Sequence, residues 1–62
     1  DLPYEQRTIL TEAVDRGYYE TPREITTQEL ATELEIPQST VQYRLSRAEA
    51  ALATEFAAEL PQ

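Results

Sequence analysis

Cysteine and histidine are both missing from this chain, and so are lysine, tryptophan and methionine. Without the first two there can be no disulfide, no zinc finger, no thiol nucleophile and no histidine base. A single glycine, Gly17, leaves nothing from which to build a glycine-rich phosphate cradle. No apolar run approaches membrane-span length, so no membrane association is expected. The opening DLPYEQ has neither a basic n-region nor an apolar h-region, so no signal peptide is indicated and a soluble, cytoplasmic protein is expected. The carboxylates are many but scattered over what read as helix surfaces, so the expectation is no enzyme, with no catalytic residue, metal ligand or cofactor. Sixty-two residues allow one domain, close to the lower limit of what folds without a staple. The abrupt start and short length suggest a piece of a longer protein.

The informative stretch is Thr26 to Leu45, TTQELATELEIPQSTVQYRL, which reads as two short helices joined by a tight turn. Thr26 and Glu29 have the spacing of a capping box, with the threonine hydroxyl accepting from the N3 amide and the glutamate returning to the cap amide. Ile25 and Leu30 are placed to form the accompanying hydrophobic staple. Leu30, Ala31 and Leu34 share one face, and Ala31 is small where a second helix must cross. Ile36 is an apolar plug in the turn. Val41 and Leu45 then recur four residues apart, with Ala48 and Leu52 continuing the stripe. The pattern is that of a helix-turn-helix, whose second helix enters the DNA major groove; a helical hairpin without DNA function would show the same stripe.

The net charge of −7, from twelve acids and five bases, runs against the basic footprint usual for such domains. All five bases are arginine, however, and no acid lies between Glu35 and Glu49, the interval that holds Arg44 and Arg47. The second helix of the motif is therefore locally basic. An acidic, lysine-free chain is also what a cytoplasm of molar salt would select. At ~1 M salt the Debye length is about 3 Å, so long-range repulsion from phosphates is largely screened. Counterion release contributes little there, and affinity must come from short-range hydrogen bonds, close packing and dimer geometry.

Upstream, Pro3 suits the first turn of a helix and Glu5 its positive end. Gln6, Ile9, Leu10, Ala13 and Val14 give that helix an amphipathic face, and Gly17 is its natural left-handed stop. Of Tyr18 and Tyr19, one is expected to pack inward and the other to face solvent. Arg23 in the linker YYETPRE can reach a phosphate, remain solvated or pair with an acid. Pro22 disfavours helix at Thr21.

GYYETPREITTQELATELEIPQSTVQYRLSRAEAAL resembles the C-terminal helix-turn-helix domain of the bacterio-opsin-activator-type regulators of haloarchaea. Their pattern runs approximately GYY, PRE, T-x-x-(E/D)-LA, a GIS-x-ST turn, a leucine and RRAEAKL, and the match covers about Leu2 to Leu52. The GYY-x-x-PRE linker is the specific part; ELATEL and STV are shared with helix-turn-helix domains in general. The resemblance implies a DNA-binding transcriptional regulator, usually with sensory or ligand-binding domains upstream, and it accounts independently for the acidity. Two departures stand out. Glu35 replaces the usual turn glycine, where a left-handed backbone is costly for a residue with a Cβ and some reshaping of the turn is expected. Pro37 replaces the usual capping serine and offers no oxygen to an amide, leaving Gln38 or Ser39 to satisfy the exposed donors.

With Val41 and Leu45 inward, Gln38, Ser39, Gln42, Tyr43, Ser46 and Arg47 project outward as candidate DNA contacts from a recognition helix spanning about 38–49. Gln38 and Gln42 suit adenine edges, and Arg47 suits guanine or a phosphate. Tyr43 can touch a thymine methyl or donate to a phosphate. Thr27 and Gln28, at the positive end of the preceding helix, suit backbone phosphates. Arg44 borders the core face and is a candidate to pair with Glu24 or Glu33.

No helix breaker follows until Pro61, and the alanine-rich SRAEAALATEFAAEL predicts that the last helix continues far past the motif. Ala48, Leu52, Phe56 and Leu60 step by four, which drifts around the helix and is not a heptad. This segment either packs back on the first helix or exposes Leu52, Phe56 and Leu60 for a symmetric homodimer. The expected fold is thus all-α, a small helix-turn-helix bundle of three helices with an extended C-terminal helix. The expected partner is double-stranded DNA, the alternative being a protein-interaction module that recruits transcription machinery through its acidic surface and C-terminal helix.

Overall fold

The computed structural model describes residues 2 to 61, and these form three helices with no strand among them: α1 Tyr4–Asp15, α2 Thr27–Leu34 and α3 Gln38–Ala58. Pro3 lies at the N-cap of α1, one place before the helical turn in which it is expected, and its carbonyl accepts the Arg7 amide at 3.0 Å. The other end of α1 is closed by a Schellman pair: the Tyr18 amide donates to the Ala13 carbonyl at 2.9 Å and that of Gly17 to Val14 at 3.2 Å. Gly17 has φ +85°, a left-handed backbone that only glycine adopts without penalty. Its carbonyl then accepts the amides of both Glu20 and Glu24, at 3.2 and 2.9 Å, which folds the linker back over the end of α1.

The capping box at the start of α2 is fully formed. The Thr26 hydroxyl accepts the Glu29 amide at 3.0 Å, and a Glu29 carboxylate oxygen accepts the Thr26 amide at 2.9 Å. Ile25 and Leu30, the staple pair, are both buried in the core. At the other end, Glu35 takes the left-handed conformation, φ 60° and ψ 40°. The Ile36 amide reaches Ala31 at 3.1 Å and that of Glu35 reaches Thr32 at 3.3 Å, so this helix stops by the same device as α1. The turn is therefore not reshaped around the missing glycine; Glu35 accepts the strained backbone, at a cost of roughly 1–2 kcal/mol.

The core consists of Ile9 and Ala13 from α1, Ile25, Leu30 and Ala31 around α2, and Val41, Leu45 and Ala48 from α3, with no polar side chain buried among them. Leu10, Tyr18, Leu34 and Ile36 close its edges. Burying an aliphatic side chain of this size contributes roughly 1.5–3 kcal/mol, and Ile9, Ile25, Leu30, Val41 and Leu45 are the branched aliphatics that are buried. A core this small cannot lose one of them cheaply.

Two residues assigned to apolar faces by spacing lie outside the core. Val14 is 54% exposed, because it follows Ile9 by five positions and so points about 140° away around the helix. Leu52 is 44% exposed. It continues the α3 stripe, but past Ala48 the helix meets α1 only loosely: Ala51 is half-buried and the residues from Leu52 to the helix end are exposed. Leu52 instead joins Leu10, Val14, Tyr19 and Glu49 around a shallow apolar depression. No described helix is long and apolar enough to cross a membrane.

Candidate nucleic-acid interface

The first turns of α3 are held from behind and left open in front. Val41, Leu45 and Ala48 anchor the helix to the core. Gln38, Ser39, Gln42, Tyr43, Ser46 and Arg47 are all exposed and share the opposite face. Tyr43, at 63% exposure, makes no core contact that would explain an aromatic ring there. The Arg47 guanidinium lies 5.9 Å from the Tyr43 ring centroid, the reach expected of an i, i+4 pair, at the edge of the face that borders Leu2, Pro3 and Gln6. Among the described residues Arg47 has no carboxylate partner within salt-bridge distance.

The start of α3 carries no neutralising group. Pro37 is its N-cap and forms no side-chain cap, and its first turn contains no acid, unlike those of α1 and α2 with Glu5 and Glu29. The positive end of the helix dipole is therefore uncompensated where the helix meets solvent. The Pro37 carbonyl accepts the amides of Thr40 and Val41 at 3.0 and 3.2 Å, so helical bonding begins in register despite the proline.

Neighbouring charges are committed elsewhere. Arg44 pairs with Glu5 of α1 at 3.6 Å and not with Glu24 or Glu33, because the side of α3 that bears it faces the start of α1. Glu33 is taken by Arg16, which also bonds Glu12 at 3.0 Å and so ties α1 to α2. Glu49, the first acid of α3, accepts a hydrogen bond from the Tyr19 hydroxyl. Partial desolvation first, and then that hydrogen bond and the carboxylate charge, push the phenol of the partly exposed Tyr19 well above its ordinary range, which keeps it a donor.

Of the two candidates on α2, Gln28 is exposed, whereas Thr27 is half-buried with its hydroxyl 3.2 Å from that of Tyr18. Of the positions expected for Arg23, the solvent-exposed one is observed and no described acid pairs with it, and its guanidinium lies 4.1 Å from the Tyr18 ring centroid, over the ring face. Tyr18 packs on the core and Tyr19 faces outward, edge to face with it at 4.9 Å. The tyrosine partners of Arg23 and Arg47 were not assigned from sequence. The i, i+4 spacing of Tyr43 and Arg47 carried the signal for one; the linker fold that sets Arg23 on Tyr18 has none.

This outward polar face on a firmly seated second helix coincides with a family match. The family model described as HTH DNA binding domain covers residues 2–54. The chain belongs to the bacterio-opsin-activator-type helix-turn-helix family of DNA-binding domains. It is also similar to a dimethyl sulfoxide reductase transcriptional activator of Halobacterium salinarum, 45% identical over 61 residues. That similarity takes in 98% of this chain and 27% of the relative, so the chain spans about a quarter of that protein's length. No solved structure matches. The domain is thus a DNA-binding one of a kind used in transcriptional regulation, and its acidity and lack of lysine accompany a haloarchaeal relative.

Proposed function

We propose that this domain positions a haloarchaeal transcriptional regulator at promoters by sequence-specific binding of double-stranded DNA, with α3 in the major groove. The carrying observation is the acid-free face formed by Gln38, Ser39, Gln42, Tyr43, Ser46 and Arg47 in a chain with twelve acids. Gln38 and Gln42 read adenine edges and Arg47 reads guanine or clamps a phosphate. Gln28, with the Thr27 amide, contacts the backbone from the start of α2. The bare positive end of α3 suits a phosphate or a base-edge acceptor in the same groove. The reaction is binding only, with no catalytic step, and its setting is the cytoplasm. Residues 1–62 form a single DNA-binding unit, the C-terminal part of a longer regulator whose sensory domains lie upstream, in keeping with the relative's greater length.

Binding to promoter fragments at high salt, with Gln42→Ala and Arg47→Ala alongside the parent chain, tests this reading. Loss of sequence preference with an unchanged helical spectrum supports it. Unchanged promoter recognition in both variants, with loss of a protein partner, would favour a recruitment module acting through the acidic surface and the end of α3.

A homodimer is the second element of the proposal. It is favoured by the exposed apolar side chains Leu52 and Phe56 on the last turns of α3 and Leu60 just beyond its end. Pairing there would set two recognition helices for half-sites about one turn of DNA apart.

A further inference from the structure

The linker between α1 and α2, which Tyr19 ties to Glu49 of α3, holds a second cation on an aromatic face. Arg23 lies over the Tyr18 ring at 4.1 Å, and no described carboxylate is within salt-bridge distance of it, although Glu20 and Glu24 flank it in sequence. Its backbone is pinned, since the next residue, Glu24, donates its amide to the Gly17 carbonyl at 2.9 Å. The ring beneath it is pinned as well: Tyr18 packs on the core, and its hydroxyl lies 3.2 Å from that of Thr27, the first residue of α2. Tyr19, in edge contact with Tyr18, reaches across to Glu49. Gln42, Ser46 and Glu49 follow one another along one edge of α3 at spacings of four and three, so the Tyr19 bond lays the linker along that edge. Arg23 is therefore a preoriented guanidinium on a linker fastened to the Glu49 end of the Gln42 edge.

An aromatic face holds a guanidinium without neutralising it, whereas a carboxylate would cancel its charge and compete with any phosphate. Among five arginines, Arg16 and Arg44 are paired with acids, while Arg23 and Arg47 rest on tyrosines. The acid-paired arginines join helices to one another, the ring-held ones lie on α3 and on the linker tied to it, and Arg7 belongs to neither group. We propose that Arg23, with Tyr18 as its positioning residue, clamps a phosphate of the DNA backbone on the Gln42 edge of α3. This rests on the DNA-binding reading above. Arg23 contributes to affinity alike on all sequences, whereas Gln42 and Arg47 discriminate between them.

The test is fluorescence anisotropy on a promoter duplex and a scrambled duplex across a salt series, using the parent chain and its Arg23→Gln, Arg23→Lys and Tyr18→Phe variants. Arg23→Gln is expected to weaken both duplexes about equally, on the order of tenfold at low salt, and to reduce the salt slope by about one. The same variant should leave the melting temperature unchanged. Arg23→Lys should restore the slope and only part of the affinity, and Tyr18→Phe, which keeps the ring, should retain both. Parent-like affinity and slope in Arg23→Gln would overturn the clamp while leaving the DNA reading intact. A parent chain that binds neither duplex would overturn both.

Discussion

The hydroxyl of Tyr19 donates to the carboxylate of Glu49, joining the linker to α3 across thirty residues of sequence. It fastens the first acid of α3 to the body of the domain. Because the folded state holds the Tyr19 proton more tightly than the unfolded chain does, the unfolded state binds fewer protons once a free tyrosine ionises near pH 10. This contribution to stability is thus complete below about pH 10 and falls as pH rises above it. Tyr19→Phe should flatten that alkaline loss relative to the parent chain in thermal melts taken from pH 8 to 11. Parallel curves for the two proteins would contradict the coupling.

Glu35 occupies a left-handed backbone that glycine would adopt at less cost. Glu35→Gly should therefore stabilise the domain by about 0.5–1 kcal/mol, after allowing for glycine's greater freedom in the unfolded chain. In a domain of this size that is a rise of several degrees in Tm, roughly 2–8 °C. Differential scanning calorimetry measures it directly, and a lower Tm would refute the strain.

Gly17 makes the opposite case. A Cβ there would collide with Glu24 Oε1 and lie 2.6 Å from Glu24 Cβ, and Glu24 cannot retreat freely because its amide bonds the Gly17 carbonyl. Gly17→Ala adds this collision to the left-handed penalty and should cost about 2 kcal/mol or more. Urea titration of the variant should show a clearly lower midpoint with an unchanged slope.

Phe56 is 67% exposed on the free end of α3. If that end forms the homodimer interface, Phe56→Glu should abolish self-association in sedimentation equilibrium and leave the helical spectrum of the monomer intact. Self-association that persists in the variant would place the interface elsewhere, and the depression formed by Val14, Tyr19 and Leu52 would be the next surface to alter.

The capping box illustrates what can be read directly from sequence. Thr26 and Glu29 are three residues apart, and both of their bonds are local, so spacing specifies them. The same holds for Gly17 as a stop and for the inward stripe of Val41, Leu45 and Ala48. Arg44 marks the boundary. Its place at the edge of the core face follows from helix periodicity, but its partner, Glu5, lies on a helix whose crossing position no local rule supplies. Leu52 is a related case, since periodicity says which way a side chain points from its own helix and not how closely another helix covers it, whereas the five-residue step from Ile9 already turns Val14 away from the core.

The sequence by itself determined three helices, the capping box of α2, the glycine stop of α1, the order of the motif and an acid-free polar face on the last helix, since each rests on interactions within about four residues. Tertiary structure alone decided that Arg16 ties α1 to α2, that Tyr19 reaches Glu49, that Arg23 lies on Tyr18, and that the last turns of α3 remain uncovered. These depend on how rigid helices pack around a core of a few side chains, a relation between distant segments that short-range preferences do not encode.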